Sequence, residues 1–215
     1  VLATPPVVPI RKPAPGMSAS EVWERCQPAT EGHPYALRKK LCDETLSRMR
    51  VVANTDQLTH YRGCLAVPGY GANGTLQTIE FVAPDGIKRT LKDTSKAGAM
   101  FTVGPDTGPV TLVEGVGAAD AVFASTGGRA VSTFGCGNTR KVVEALRQKE
   151  PSERITIAPD RGQEAKARDI AAEFNCTVAC IPECETDNTD LNDIFCRDGF
   201  DVVQALVESA TEPPK

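Results

Sequence analysis

The chain has 215 residues, of which 40% are hydrophobic and 24% are charged, and its formal net charge is −4. This length suits one domain of ordinary size, or a small domain with an accessory one, and the hydrophobic content is sufficient for a core. No apolar run is long enough to cross a bilayer and no signal-peptide pattern is present, so we expect a cytoplasmic protein without membrane contact. Because the chain begins at Val1 rather than Met, we expect it to be a fragment of a longer protein.

The charge is unevenly distributed between the two halves. Residues 1–107 carry 13 Lys and Arg against 10 Asp and Glu, a net charge of +3, whereas residues 108–215 carry 11 against 18, a net charge of −7. A uniformly basic nucleic-acid-binding protein would lack this division. The division agrees with an acidic half that holds metal ions beside a basic half that holds a phosphate backbone, and equally with a surface adapted only for solubility.

The first part of the chain begins with a segment rich in proline. Residues 1–20 can sustain neither a helix nor a central strand, and we interpret them as an extended tail or linker. Ser18 or Ser20 can cap a helix that starts near Glu21. The basic stretch 38–40, which follows His33, is interpreted as a solvated face.

Residues 63–91 indicate an antiparallel meander of about three strands. Strands are predicted at 63–68, 76–82 and 87–91, with Asn73 and Gly74 in the first turn as a strong hairpin signal. A further strand at 99–103 extends the meander in this prediction. Basic residues gather on the third strand and in the loop after it, namely Lys88, Arg89, Lys92 and Lys96.

After a Gly- and Pro-rich boundary at 104–109, strands and helices alternate. Such alternation predicts an α/β fold with a mainly parallel sheet and helices on both faces. The predicted strands are 110–113, 130–133, 155–158 and 177–181, and the predicted helices are 117–126, 138–149, 164–174 and 200–209.

Two of these strands end in an acidic residue. Glu114 follows the strand 110–113, and Asp160 follows the strand 155–158. The carboxyl ends of parallel strands are the edge at which open α/β sheets place their ligands. Carboxylates at one edge repel each other unless a cation lies between them, and Mg²⁺ with phosphate oxygens is the usual occupant. The sequence therefore points to phosphoryl chemistry.

Residues 111–209 resemble a Toprim domain, the fold shared by bacterial replicative primases, topoisomerases and certain nucleases. The resemblance is carried by 113–115, by 134–138, by 157–160 and by the late acidic motif 189–193. It is strongest to the primases of conjugative plasmids and phages, including primase–helicase fusions, and it extends upstream to His33, Pro34 and Tyr35 and to the meander. It implies a primase-type accessory subdomain at 21–107 and a Toprim domain at 108–212.

The resemblance also implies a function and its residues. The function is metal-dependent nucleotidyl transfer in RNA primer synthesis, by attack of a primer 3′ oxygen on the α-phosphate of a ribonucleoside triphosphate on a single-stranded DNA template. A fused or associated helicase is a further implied partner. Glu114 and Asp160 are implied as catalytic and as ligands of Mg²⁺ or Mn²⁺, with Asp190 and Asp193 as further ligands. Implied nucleic-acid or nucleotide contacts are Lys88, Arg89, Lys92, Lys96, Gly135, Gly137, Asn138 and Arg161.

One departure from the family pattern concerns the usual Asp-x-Asp. The chain has Asp160, Arg161 and Gly162, so either the second carboxylate is missing or a small deletion has brought the following glycine forward. A site with fewer acids binds metal more weakly and holds one ion more readily than two, and Arg161 is free to contact a phosphate. Two alternatives to a primase therefore stay open: a non-catalytic binding module with the Toprim fold, and a Toprim nuclease.

The eight cysteines include no CxxC pair, so the strong zinc spacing is absent. We interpret them as buried thiols that act as small hydrophobic side chains. The alternatives are a metal site or disulfide among Cys176, Cys180 and Cys184, and a zinc site built from Cys26, His33, Cys42 and Cys64.

Overall fold

An antiparallel sheet of five strands forms the amino-terminal part of the computed structural model, which describes residues 17–54 and 58–213. The strand order is β1-β2-β3-β4-β5. Most of the interpreted tail, residues 1–16, lies outside the described residues. The strands are β1 (Gln27–Pro28), β2 (Arg50–Val51), β3 (Leu65–Tyr70), β4 (Leu76–Val82) and β5 (Lys88–Thr90), and the helices are α1 (Ala19–Arg25), α2 (Pro34–Lys39) and α3 (Asp43–Ser47).

The local sequence explains where these elements begin. Ser18 caps α1 in a capping box with Glu21. His33 caps α2, because its Nδ1 accepts a hydrogen bond from the Tyr35 N–H, and Pro34 occupies the first helical position, where no N–H is required. The predicted meander is confirmed for β3, β4 and β5, which pair in sequence.

A second, mixed sheet has the order β10-β9-β7-β8-β6 and is parallel except for β6. Helices α5 and α6 pack on one face, and α4, α7 and α8 on the other. The α/β prediction with a mainly parallel sheet and a small antiparallel sheet before it is confirmed. The strands are β6 (Phe101–Val103), β7 (Val110–Val113), β8 (Arg129–Ser132), β9 (Ile155–Ile157) and β10 (Thr177–Val178), and the helices are α4 (Val116–Thr126), α5 (Thr139–Lys149), α6 (Glu164–Phe174), α7 (Leu191–Asp198) and α8 (Phe200–Glu208).

Two expectations about these elements are wrong. Phe101–Val103 does not extend the meander but pairs antiparallel with β8 at the edge of the mixed sheet, while the residue before it, Met100, forms an isolated bridge with Tyr70 of the first sheet. An additional helix, α7, begins inside the late acidic motif, where none was predicted. Its start is fixed by Asp190, whose side chain caps the helix.

One hydrophobic cluster joins the two sheets. It contains Leu65, Val67 and Val82 of the antiparallel sheet together with Phe101, Val116 and Phe134 of the carboxyl-terminal part. A buried carboxylate adds a polar connection, because Asp120 on α4 accepts a hydrogen bond of 2.9 Å from the backbone N–H of Cys42 at the start of α3. The division at residue 107 therefore remains a prediction about two parts that share a core.

The cysteine alternatives lose their support in this fold. None of the eight cysteines, all of which lie in the described ranges, forms a disulfide, and in those ranges no group of three or more His, Cys, Asp or Glu side chains is arranged to hold a metal ion. His33 has no free ring nitrogen for zinc, since Nε2 lies 2.8 Å from the Gly63 carbonyl and Nδ1 caps α2. Among the helices of residues 17–54 and 58–213, none has the length and apolar character needed to span a membrane.

Candidate acidic site at the carboxyl edge of the mixed sheet

Glu114 and Asp160 lie at one edge of the mixed sheet. Glu114 directly follows β7, and Asp160 lies three residues beyond β9, its parallel neighbour. Burial and then the negative charge of Glu114 raise the pKa of Asp160 to about 7. The structure therefore brings these two predicted residues close enough for their charges to interact.

The loop after β8 holds Glu114 in place. Its Oε2 accepts a hydrogen bond of 2.9 Å from the Cys136 N–H, and its backbone carbonyl accepts one from the Gly135 N–H. The other carboxylate oxygen, Oε1, is buried and has no hydrogen-bond partner. A buried carboxylate oxygen without a partner is costly, so the site is suited to a cation or a donor that the protein itself does not supply.

Asp190 and Asp193 form a reciprocal pair at the start of α7. The Asp190 Oδ1 accepts a hydrogen bond from the Asp193 N–H at 2.8 Å, and the Asp193 Oδ2 accepts one from the Asp190 N–H at 3.1 Å. Burial raises the pKa of Asp190, and both aspartates in turn help to raise the pKa of Asp160. The late acidic motif thus faces the same edge of the mixed sheet as Glu114 and Asp160. We call these four residues (Glu114, Asp160, Asp190 and Asp193) the acidic edge.

Two lysines of the amino-terminal part reach this edge. The Lys39 Nζ lies 2.9 Å from Asp193 Oδ1 and 3.6 Å from Asp190 Oδ2. The Lys88 Nζ lies 3.1 Å from the position that a Cβ atom on Gly115 would occupy, and its charge opposes the raised pKa of Asp160. Sequence reasoning interpreted Lys39 as part of a solvated face, and no local signal distinguishes it from Arg38 and Lys40, which are exposed.

The four predicted basic residues do not form one surface. Lys88 faces the acidic edge, whereas Arg89 lies beside Tyr61 and Cys64, where its charge opposes the increase in pKa that burial causes for both groups. Lys92 pairs with Asp93 at 3.7 Å. Lys96 forms an ion pair of 2.7 Å with the buried Glu80. Nucleic-acid binding by these residues stays a prediction.

In the loop after β8, the backbone at Gly135 and Gly137 is open to a ligand, whereas the side chain of Asn138 is not. A side chain at Gly135 or Gly137 would meet nothing within 4 Å, so this backbone is open to a ligand, and Gly135 has a φ of 113° that favours glycine. The Asn138 amide is fully used by the fold: Oδ1 accepts from the Gly98 N–H, and Nδ2 donates to the carbonyls of Ala99 and Thr133. Its position in the structure is that of a structural residue.

The turn after β9 explains why a second acid is absent there. Gly162 has a φ of 94°, and a Cβ atom on it would lie 3.3 Å from the Asp187 Oδ1. Arg161 is held by Glu164 at 3.0 Å, and its backbone pairs with Thr189 and Asn188. An aspartate at 162 would be strained and close to another carboxylate, and Arg161 is engaged within the turn.

The acidic edge suits a hard divalent cation in charge and in donor type. Glu114 leaves one oxygen unsatisfied, and the charges around Asp160 work against its ionisation, so a cation would relieve both. In the part of the chain that the structure describes, however, no three ligand groups are drawn together around one point. The donors fit a metal ion without enclosing one.

Comparisons with known proteins agree with this geometry. No family model matches the chain. The chain is similar to the DNA primase TraC of Escherichia coli, with 34% identity over 99 residues that cover 44% of this chain and 9% of that protein. A second Escherichia coli protein of the same name is 32% identical over 99 residues and is covered to 7%. The matched region thus spans less than a tenth of the length of these relatives.

Solved structures resemble the chain over most of its length. The primase fragment of the bacteriophage T7 primase-helicase protein has a TM-score of 0.61 and 17% identity, and the match covers 92% of this chain and 83% of that one. The DnaG primase catalytic domain bound to ssDNA has a TM-score of 0.64 and 13% identity, with 90% and 77% covered. The predicted resemblance to plasmid and phage primases is confirmed: the chain has the fold of the DNA primase catalytic core and is homologous to the plasmid primase TraC.

Proposed function

We propose that the chain is the catalytic fragment of a plasmid- or phage-type DNA primase, which joins ribonucleotides on single-stranded DNA in a reaction that requires a divalent metal ion. The acidic edge of the mixed sheet carries this proposal, because Glu114 and Asp160 end adjacent parallel strands within a primase fold. Homology to TraC supports the same activity. A helicase, fused or associated, is a proposed partner, since one structural relative is a fragment of a primase-helicase protein.

Glu114 and Asp160 would hold Mg²⁺ or Mn²⁺. When bound, the ion neutralises the charge that develops on the phosphoryl group, which supplies most of what phosphoryl transfer needs from a protein. The residues of the chain position the reactants: the Cys136 N–H fixes one oxygen of Glu114, and the open backbone at Gly135 and Gly137 leaves room for a phosphate beside it.

The experiment that tests the proposal is primer synthesis on single-stranded DNA with ribonucleoside triphosphates and Mg²⁺ or Mn²⁺. The change Glu114→Gln removes a charge but little volume, so we expect it to lower synthesis at least about 100-fold while the fold is retained. Glu173→Gln, on the exposed side of α6, is the matched control and should leave synthesis unchanged. Synthesis by Glu114→Gln at the normal rate would refute the assignment.

The turn at 160–162 suggests a second candidate function, which the same assay can test. Position 162 in this turn carries a glycine where the family has a second aspartate, and this favours a binding module that has lost catalysis. Under that alternative the chain binds single-stranded DNA but makes no product with either metal. Cleavage of the template without ribonucleotides would instead identify a nuclease that uses the same acids.

A further inference from the structure

Lys39 is the cation that the fold places inside the acidic edge. It ends α2, and its ammonium contacts both aspartates of the α7 cap, at 2.9 Å from Asp193 and 3.6 Å from Asp190. The side chains of Lys39 and Asp190 are each 21% exposed, so water screens this contact less than an ion pair on the open surface.

The contact completes the partners of the Asp190–Asp193 pair. One oxygen of each aspartate accepts a backbone N–H of the other within the capping box, and the remaining oxygen of each faces Lys39. All four carboxylate oxygens therefore have a donor or a counterion. Glu114 differs, since its Oε1 is buried without a partner at the same edge.

Hydrogen bonds anchor the end of α2, which carries Lys39, against α7. The Asn192 amide donates to the Lys39 carbonyl at 2.8 Å, and the Lys40 Nζ donates to the Cys196 carbonyl at 3.0 Å. Asn192 is fully buried. The helix that carries the two aspartates thus also anchors the backbone of the residue that neutralises them.

We propose that Lys39 is a positioning residue which acts as the counterion of the Asp190–Asp193 pair and takes the place of a second divalent cation. Without nucleotide, a divalent ion is then held by Glu114 and Asp160 alone. This inference rests on the proposed function, because it concerns the same acidic edge.

The consequence is a competition between one lysine and one metal ion. An ammonium and a divalent cation that require the same carboxylate oxygens exclude each other, and removal of the ammonium leaves two aspartates with a net charge that favours a divalent cation. Neutralising Lys39 should therefore create a binding position for metal rather than destroy one. A purely structural lysine would have no such effect.

The test is the number of Mn²⁺ ions bound by the full 215-residue chain without nucleotide, measured by electron paramagnetic resonance. We expect one ion for the unchanged chain and two for Lys39→Met, with Lys39→Gln as a second neutral variant should the first fold poorly. Lys39→Arg keeps the charge and should restore a single ion. The matched control is Lys40→Met, because the Lys40 ammonium donates to the Cys196 carbonyl of α7 rather than to a carboxylate, and this variant should bind one ion.

Several results would overturn the inference. These are two ions or none in the unchanged chain, or a single ion in both neutral variants. The outcome is separable from that of the proposed function, because ion counts need no primer synthesis. A chain that makes no primers but changes from one ion to two on loss of Lys39 would refute the primase activity and keep the counterion role.

Discussion

At the scale of single residues, the acidic edge is held in an electrostatically unfavourable state by the fold. Asp160 is half-buried beside Glu114, with Asp190 and Asp193 nearby, and its pKa is raised to about 7. Lys88 and Lys39 offset part of this charge. Sites that bind metals commonly store such unfavourable charge until the ion is present, and the same charge makes stability depend on pH.

Stability should fall with pH because of Asp160. Its pKa in the folded chain exceeds that of an unfolded aspartate, so the folded state binds the proton more tightly, and the contribution of Asp160 to the free energy of unfolding decreases from about pH 4 to about pH 7. Asp160→Asn should therefore raise that free energy by about 2 kcal/mol at about pH 8, and by nearly nothing at about pH 4. Urea unfolding in a chelating buffer measures this.

The control for this prediction is Asp169→Asn, which replaces an exposed aspartate on α6. It should show no comparable gain at any pH. Addition of Mg²⁺ should stabilise the unchanged chain more than Asp160→Asn, since the ion binds the folded state through that carboxylate. An equal gain of Asp160→Asn at both pH values would contradict the assigned cause.

The side chain of Asn138 has a structural role, because its three hydrogen bonds tie the segment at Gly98 and Ala99 to the loop after β8. The expected contact of Asn138 with a nucleotide stays a prediction. Asn138→Ala leaves buried groups unpaired, and we expect a loss of about 2–3 kcal/mol in the free energy of unfolding. Gln204→Ala, on exposed α8, should cost less than about 0.5 kcal/mol in the same urea titration.

At the scale of elements, β5 separates its two basic residues. Side chains alternate along a strand, so Lys88 faces the acidic edge and Arg89 the opposite side, near Tyr61. The effects of Lys88 and Arg89 on ligand binding can therefore be measured separately. We expect Lys88 to influence metal binding, and Arg89, if DNA binds here, to contact a backbone phosphate.

Single changes on β5 should distinguish these roles. Lys88→Ala removes a positive charge beside the acids and should strengthen Mn²⁺ binding several-fold, whereas Arg89→Ala should leave Mn²⁺ binding unchanged. If single-stranded DNA crosses this strand, Arg89→Ala should reduce the slope of log affinity against log salt by about 0.7, the value for one phosphate contact. An identical effect of both changes on both ligands would show that the two faces are not distinct.

The elements that the sequence predicted best are those whose apolar residues form a continuous run or recur at a regular spacing. Strand β7 and helix α6 have the predicted bounds, because buried runs and amphipathic spacing are local signals. Helix α7 was missed because its start at Asp190 was interpreted only as an acidic motif. Lys39 was missed because its partners lie more than 150 residues away along the chain, and pairing at that distance has no local pattern.

At the scale of the whole molecule, the two sheets share a core and should unfold together. The chain has a single tryptophan, Trp23, in the amino-terminal part, so its fluorescence reports that part while circular dichroism reports all helices. We expect both signals to give the same urea midpoint, because Leu65 and Phe134 belong to one cluster. Two separate midpoints would show that the predicted division at residue 107 marks independent units.

A fragment of residues 108–213 tests whether the carboxyl-terminal part can fold without the amino-terminal sheet. It lacks β6, which leaves the edge of β8 unpaired, and it lacks the sheet that covers Val116 and Phe134. We expect this fragment to aggregate or to unfold without a cooperative transition. Gel filtration and denaturation curves would measure this, and a monomer with a sharp transition would contradict the shared core.

The edge position of β6 also has a consequence for synthesis of the protein on the ribosome. Phe101–Val103 leaves the exit tunnel well before β8, its partner in the sheet, so this apolar segment has no strand to pair with during that interval. The hydrophobic cluster around Leu65 likewise lacks Val116 and Phe134 at that stage. The amino-terminal sheet therefore completes its core late, and the nascent chain is most vulnerable to misassociation before the first α/β unit of the mixed sheet has emerged.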